Sequence, residues 1–434
     1  MGYESLLITL NLITLPLTMT PQEISRYVSD GFVRAKAGEA LAVYASVAPI
    51  HTSGALPPER HYSLGWIIYY ALHQSAPGDI LPRKRMLAHY LGLQTPRPHK
   101  LHSMILTEAI RLYRDARDSA VAARLKGIPH DAARDFSLVK FMRLWDFRHL
   151  RPGDWRRKLH EGKPMSATVE KLITHYVDEL EGSHAASAPS AEFMDVMERA
   201  MREYPATASL LARRATLYQL SGETERCAPL LRQAVMVAPG KFYLWQRLAA
   251  YVDPVEHPKL HISLLFRALS APGQDSFKGK VRLALADAWL RIGRPHFAAW
   301  EIDRVKQVYE ANGWHLPPRH RELEERLPHG TIAADPAGAY RSVEHLADEL
   351  LYESLPPVRV SKTYHKAAVA GTDRYGRQRP GMVAWRVTDA AGVNYWFNPG
   401  RHRLQEDLPH GTRLIVKIHE GKIVKAMLDT VPDR

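Results

Sequence analysis

Cysteine is nearly absent: Cys227 stands alone in 434 residues, which excludes an internal disulfide framework and any multi-cysteine zinc or iron-sulfur centre. A reducing compartment, the cytoplasm, is the expected location. Long apolar runs are missing as well. The nearest candidate is Leu6 to Leu17 (LLITLNLITLPL), which follows Glu4 with no Lys or Arg before it and is too short to span a bilayer. Neither a signal peptide nor a transmembrane helix is expected, and no membrane partner. Catalytic signatures are lacking too: there is no phosphate-binding glycine loop ending in Lys-Ser/Thr, no His-Glu-x-x-His helix and no Gly-x-Ser-x-Gly elbow. Close histidine pairs, His99 with His102 and His315 with His320, do not carry the carboxylate or cysteine spacing of a metal site. The expectation is a chain with no catalytic residues, no metal and no cofactor.

What is present is the material of a packed protein. Hydrophobic residues make up 45% and charged residues 24%, near globular averages, and the length suits two to four domains. The charge is unbalanced, 59 Lys and Arg against 46 Asp and Glu, so an acidic partner is worth seeking. Thr20-Pro21-Gln22-Glu23 has the form of a capped helix start, which leaves residues 1–18 as a poorly ordered extension. From there to residue 181 apolar residues recur at helical spacing between Pro-rich and Gly-rich loops, predicting a multi-helix domain, 19–181, in which Ser63 to Leu72 and Phe136 to Phe147 lie deep. Arg111, Arg114 and Arg117 form a basic stripe there, partly neutralised by Glu108, Asp115 and Asp118. Gly182 to Ser190 reads as a linker.

Self-similarity marks the middle of the chain. Pro205 and Pro239 stand 34 residues apart, and Met197, Ala200 and Pro205 hold the same relative places as Leu231, Ala234 and Pro239. Between them Ala215 and Tyr218 fall on one helix, Gly222 at the turn, and Cys227, Leu231 and Ala234 on the next. This pattern resembles the tetratricopeptide repeat. The resemblance implies an α-solenoid over residues 191–327, those residues packing at helix crossings and a protein or peptide partner held in its groove. A later copy runs through Ala286, Trp289, Gly293, Ala298 and Ile302. Trp245, Trp289 and Trp300 are expected in the core.

After Pro356-Pro357 the period changes to two, and five short strands are predicted, Val358 to Val369, Met382 to Thr388, Val393 to Phe397, Arg413 to His419 and Ile423 to Leu428. Together with a short amphipathic helix, Ser342 to Tyr352, they make a C-terminal domain, 340–434. If Val383, Trp385, Val387, Val393, Tyr395 and Phe397 point inward, Arg386 and Trp396 share the outer face. Lys417, Arg374, Arg377 and Arg379 add charge nearby. Five strands in so short a stretch resemble an oligonucleotide-binding or cold-shock-type small β-barrel, which implies that single-stranded DNA or RNA meets Arg386, Trp396, Lys417, Arg374, Arg377 and Arg379.

The fold class expected is therefore mainly α, a tetratricopeptide-like α-solenoid with a C-terminal five-stranded β-barrel. The order of parts, with Leu150-Arg151-Pro152-Gly153-Asp154-Trp155 in the helical region, also resembles uncharacterised bacterial repeat proteins of defence gene clusters. The function expected is a non-catalytic adaptor. Two alternatives stand beside it: a protein-only scaffold, and a metal-dependent nuclease or nucleotide-processing enzyme using Asp131, Asp135, Asp146 and Asp154.

Overall fold

The structure, a computed structural model, describes residues 19–95, 99–129, 131–182, 189–366, 371–372, 378–379, 383–402, 404–405, 407–419 and 421–429. The proposed extension 1–18, most of the linker, and Arg374 and Arg377 lie outside them. The chain divides into two compact units: residues 1–240, 273–283 and 301–327 form one, and 241–272, 284–300 and 328–434 the other. The repeat segment 191–327 contributes to both.

The first helix of unit 1, α1 (Pro21–Arg34), starts as its sequence dictates: the Thr20 hydroxyl accepts from the Glu23 amide while the Glu23 carboxylate accepts from the Thr20 amide. A π-helical turn at Ala35–Glu39, with Gly38 at φ 113°, leads into α2 (Ala40–Thr52). The apolar helix α3 (His61–Gln74) is central, with Leu64, Ile67, Ile68, Ala71 and Leu72 fully buried. Gly65 lets α5 (Lys100–Leu125) approach, because a Cβ there would sit 2.7 Å from Leu101 Cδ2. Between them runs α4 (Ile80–Leu91), and α6 (Leu138–Trp145) follows.

A two-stranded hairpin, β1 (Lys158–His160) and β2 (Lys163–Met165), turns through Glu161 and Gly162, both at positive φ. It leads to α7 (Thr168–Gly182), α8 (Ala191–Glu203), α9 (Ala208–Leu220) and α10 (Cys227–Val237). Unit 2 receives α11 (Phe242–Ala249) and α12 (Pro258–Ser270). Two helices, α13 (Gly279–Arg291) and α14 (Pro295–Ala311), contribute residues to each unit, and α15 (Pro318–Glu325) belongs to unit 1.

The short amphipathic segment expected before the strands is two helices, α16 (Ala337–Val343) and α17 (His345–Tyr352). Within unit 2, Phe266 stacks on Tyr340 and the Trp289 indole donates to the Tyr340 hydroxyl. Trp245 and Trp289 are buried, while Trp300, also expected in the core, is half-buried. The Ser263 hydroxyl donates to the Glu344 carbonyl and accepts from the Ala347 amide, and Arg267 pairs with Glu344 and Asp348.

The predicted strands are present: β3 (Pro357–Lys366), β6 (Ala384–Asp389), β7 (Asn394–Phe397), β8 (Arg413–His419) and β9 (Lys422–Leu428), with a two-residue pair, β4 (Gly371–Thr372) and β5 (Gln378–Arg379), between β3 and β6. They form one antiparallel sheet in the order β7-β6-β3-β8-β9, curled into a half-barrel rather than a closed barrel. Val360, Trp385, Val387, Phe397, Leu414 and Val416 fill its concave side. The protein is thus mainly helical with a curled five-stranded antiparallel sheet at its C-terminal end. No helix among the described residues is long and apolar enough to cross a membrane.

Candidate functional site

The sheet's outer face carries a row of three residues set by strand register. Arg386 on β6 lies directly opposite Tyr364 on β3 and Trp396 on β7. Trp396 is 52% and Tyr364 48% exposed, their rings meeting edge to face with centroids 5.7 Å apart. The Arg386 guanidinium lies 5.6 Å from the centre of the Tyr364 ring. Among the described residues it has no carboxylate partner; its one polar contact is a long one, 3.4 Å, to the Thr363 hydroxyl. Large exposed aromatics cost free energy in water, and a guanidinium beside them gives a surface that accepts planar rings and anions together.

Tyr364 joins this row because of a β-bulge. Lys362 pairs with Val387 and Tyr364 with Arg386, so Thr363 is an extra residue in β3. Before the bulge, Val360 and Lys362 face inward. The Lys362 ammonium lies 4.2 Å from the centre of the Trp385 ring and donates to the Leu408 carbonyl. Burial lowers its pKa. Strict alternation would have turned Tyr364 inward after it. The bulge turns Tyr364 out.

The other predicted contacts are placed differently. Val393, expected inside, is 47% exposed. It closes the hairpin turn instead, its amide donating to the Asp389 carboxylate and its carbonyl accepting from the Asp389 amide, with Gly392 at φ 80°. Lys417 sends its ammonium to the carbonyl oxygens of Tyr352 and Glu353, at 2.6 and 3.0 Å, capping α17. Lys425, its neighbour on β9, pairs with Glu349. Both lysines are thus engaged by α17, while the row on β3, β6 and β7 is open. Arg379 ends β5.

In unit 1 the repeat residues meet where α9 and α10 cross. Ala215, Cys227, Leu231 and Ala234 are fully buried, and the Cys227 thiol donates to the Ala215 carbonyl. Tyr218 lies between the guanidinium groups of Arg214 and Arg226. Gly222 turns at φ 80°, and Pro239 follows the end of α10. The basic stripe of α5 is neutralised: Arg111 pairs with Glu108, and Arg117 with Asp118 and Asp178.

The aspartates of the enzyme alternative serve local structure. Asp131 accepts from the Ala133 amide, Asp146 binds Arg148, and Asp154 accepts from Ser103 and from the Arg151 amide. Among the described residues no group of three His, Cys, Asp or Glu is placed to hold a metal ion.

Residues 212–342 match a family described as a domain of unknown function (DUF7017), a minority of the chain that leaves out the whole sheet. No curated protein matches the sequence. Among solved structures MamA AMB-1 is similar at 16% identity and a TM-score of 0.29, over 45% of this chain and 98% of MamA; a likeness that slight settles neither fold nor function, and the chain is described by its own residues.

Proposed function

We propose that this protein is a non-catalytic adaptor whose tetratricopeptide-like helices hold a protein partner and whose C-terminal sheet takes single-stranded nucleic acid. The observation that supports the second half is the row Tyr364, Arg386 and Trp396, in register across three strands with both rings exposed and Arg386 half-buried between them. Bases stack on aromatic rings at about 1–3 kcal/mol each, and an arginine with no carboxylate partner among the described residues attracts the phosphates between them. The first half is supported by the α9 and α10 pair, whose small buried residues sit where the repeat wants them. The resemblance to repeat proteins of defence clusters gives the proposal a setting, an adaptor that couples nucleic acid to a protein effector.

The test is fluorescence anisotropy of labelled single-stranded oligonucleotides of about 12 residues, titrated with salt. The expected result is affinity that falls steeply with salt and weakens about tenfold in Arg386→Ala and in Trp396→Ala. An absence of binding at low salt, or full affinity in both variants, overturns the nucleic-acid half and leaves a protein-only scaffold.

A further inference from the structure

The outer face of the sheet holds a second row beside the one formed by Tyr364, Arg386 and Trp396. Register places Ser361 of β3 opposite Thr388 of β6, and Thr388 opposite Asn394 of β7. Thr388 stands two residues from Arg386 and Asn394 two from Trp396, so each shares its neighbour's face of the strand. Asn394 is exposed, and Ser361 and Thr388 are half-buried. This second row carries hydroxyl and amide groups where the first carries rings and a cation.

The hydrogen bonds of the row run in one direction. The Thr388 hydroxyl donates to Asn394 Oδ1 at 2.8 Å. A hydroxyl has one proton, so Thr388 accepts on its other side, from Thr363 Oγ1 at 3.1 Å. Thr363, which also reaches the Arg386 carbonyl at 3.2 Å, lies 3.4 Å from Arg386 Nε, a group that only donates. The chain thus leads from the guanidinium through two threonines to the amide oxygen. It holds the carboxamide with Oδ1 on Thr388 and leaves Nδ2, with its two protons, without a hydrogen bond among the described residues.

An asparagine with both ends open pairs with adenine, Nδ2 donating to N7 and Oδ1 accepting from the N6 amino group. Here Oδ1 is engaged and a pair of donors faces outward. Adenine would set its own amino donor against them. Guanine instead presents O6 and N7, two acceptors side by side on one edge. Distance favours a purine as well: Asn394 and Trp396 stand about 7 Å apart along β7, which matches the reach from the centre of a stacked purine to its O6 edge plus one hydrogen bond of about 3 Å. We propose that Asn394 selects a guanine base stacked on Trp396, and that Thr388 is the positioning residue that turns its amide. The inference rests on the reading of this face as a surface for single-stranded nucleic acid.

The test uses the full chain and labelled strands of about 11 thymidines whose central residue is guanosine, adenosine or thymidine, with affinity read by fluorescence anisotropy at low salt. The guanosine strand is expected to bind about fivefold more tightly than the adenosine strand. In Asn394→Ala the ratio should fall to within about twofold, because the donors are gone. In Thr388→Val it should fall as far, because the released Oδ1 can accept from adenine. A Thr388–Asn394 bond that only braced the hairpin would instead lower the melting temperature of both variants and leave the ratio intact; Asn394 is exposed, so Asn394→Ala decides the matter if Thr388→Val does not fold. A wild-type ratio within about twofold, or a fivefold ratio retained in either folded variant, overturns the assignment while the strand-binding reading stands. If none of the three strands binds, both fall together.

Discussion

Arg83 and Arg386 carry the same guanidinium in opposite surroundings. Arg83 on α4 has no exposed surface; it donates to Asp115 at 2.7 Å and lies among the helices of unit 1. Arg386 lies on an open sheet beside two exposed rings, without a carboxylate among the described residues. The difference extends beyond these two residues. In unit 1, Arg111, Arg117, Arg157 and Arg213 are each bound to Glu or Asp, whereas the half-buried cation of the row on β3, β6 and β7 meets no carboxylate among the described residues. Net charge measures how many cations a chain has, and the carboxylates around each one decide which are available to a partner.

The sharpest way to break this contrast is to free a neutralised cation. Asp115→Asn leaves Arg83 buried and charged without its counterion, and about 3–5 kcal/mol of stability should be lost, measured by denaturant unfolding of the full chain. Next in size is a group of unit 1 that is kept neutral. His89 Nε2 lies 2.7 Å from His51 Nδ1, and its Nδ1 is 3.2 Å from the Tyr44 hydroxyl. Burial first, then His51 and His61, lowers its pKa to about 4, while burial raises that of Tyr44 to about 12. Because the folded value lies below the unfolded one, the stability is fully present above about pH 6.5 and is lost as pH falls towards 4. About 3 kcal/mol should disappear across that window. Amide exchange in α4 at pH 7.5 and 4.5 checks it, and the pH dependence should shrink in His89→Gln.

On the sheet the expectations reverse. Trp396→Ala and Arg386→Ala should each change unfolding free energy by less than about 1 kcal/mol, while oligonucleotide affinity falls. Lys417→Ala sharpens the comparison by the smallest step. As a cap on α17 it should cost about 1 kcal/mol and leave the salt dependence of oligonucleotide binding unchanged. A change in that slope would show that Lys417 also meets phosphate.

Much of this architecture was legible because it is local. The Thr20 capping box, the helical periods and the five strands depend on residues a few positions apart, and a period of two was enough to put Arg386 and Trp396 on one face. Tyr364 was not legible, since the bulge at Thr363 breaks the alternation that any pattern reading assumes. From the sequence Lys417 reads as a nucleic-acid contact, because its partners, two carbonyl oxygens at the end of α17, have no sequence signature. Val393 has strand chemistry but stands beside Gly392, and turn closure takes precedence. The stacking of His102 on His149 was hidden for another reason. His102 and His149 meet only after α5 and α6 have packed and the chain has reversed at Asp146, and the pairing of His99 with His102, read as a failed metal site, gave no hint that each binds a different tyrosine.

The two lysines that fasten β8 and β9 to α17 have a consequence for how this protein can be divided. Pro356-Pro357 looks like a seam at which the sheet could be exchanged between chains by recombination. A cut there would strip Tyr352 and Glu353 of the ammonium that caps them and Glu349 of its ion pair. The seam lies further back still, because α17 is itself held through Ser263 and Arg267 of α12. The inheritable piece is therefore the sheet together with its helices, and a ligand gripped on the outer face would load those helices as well.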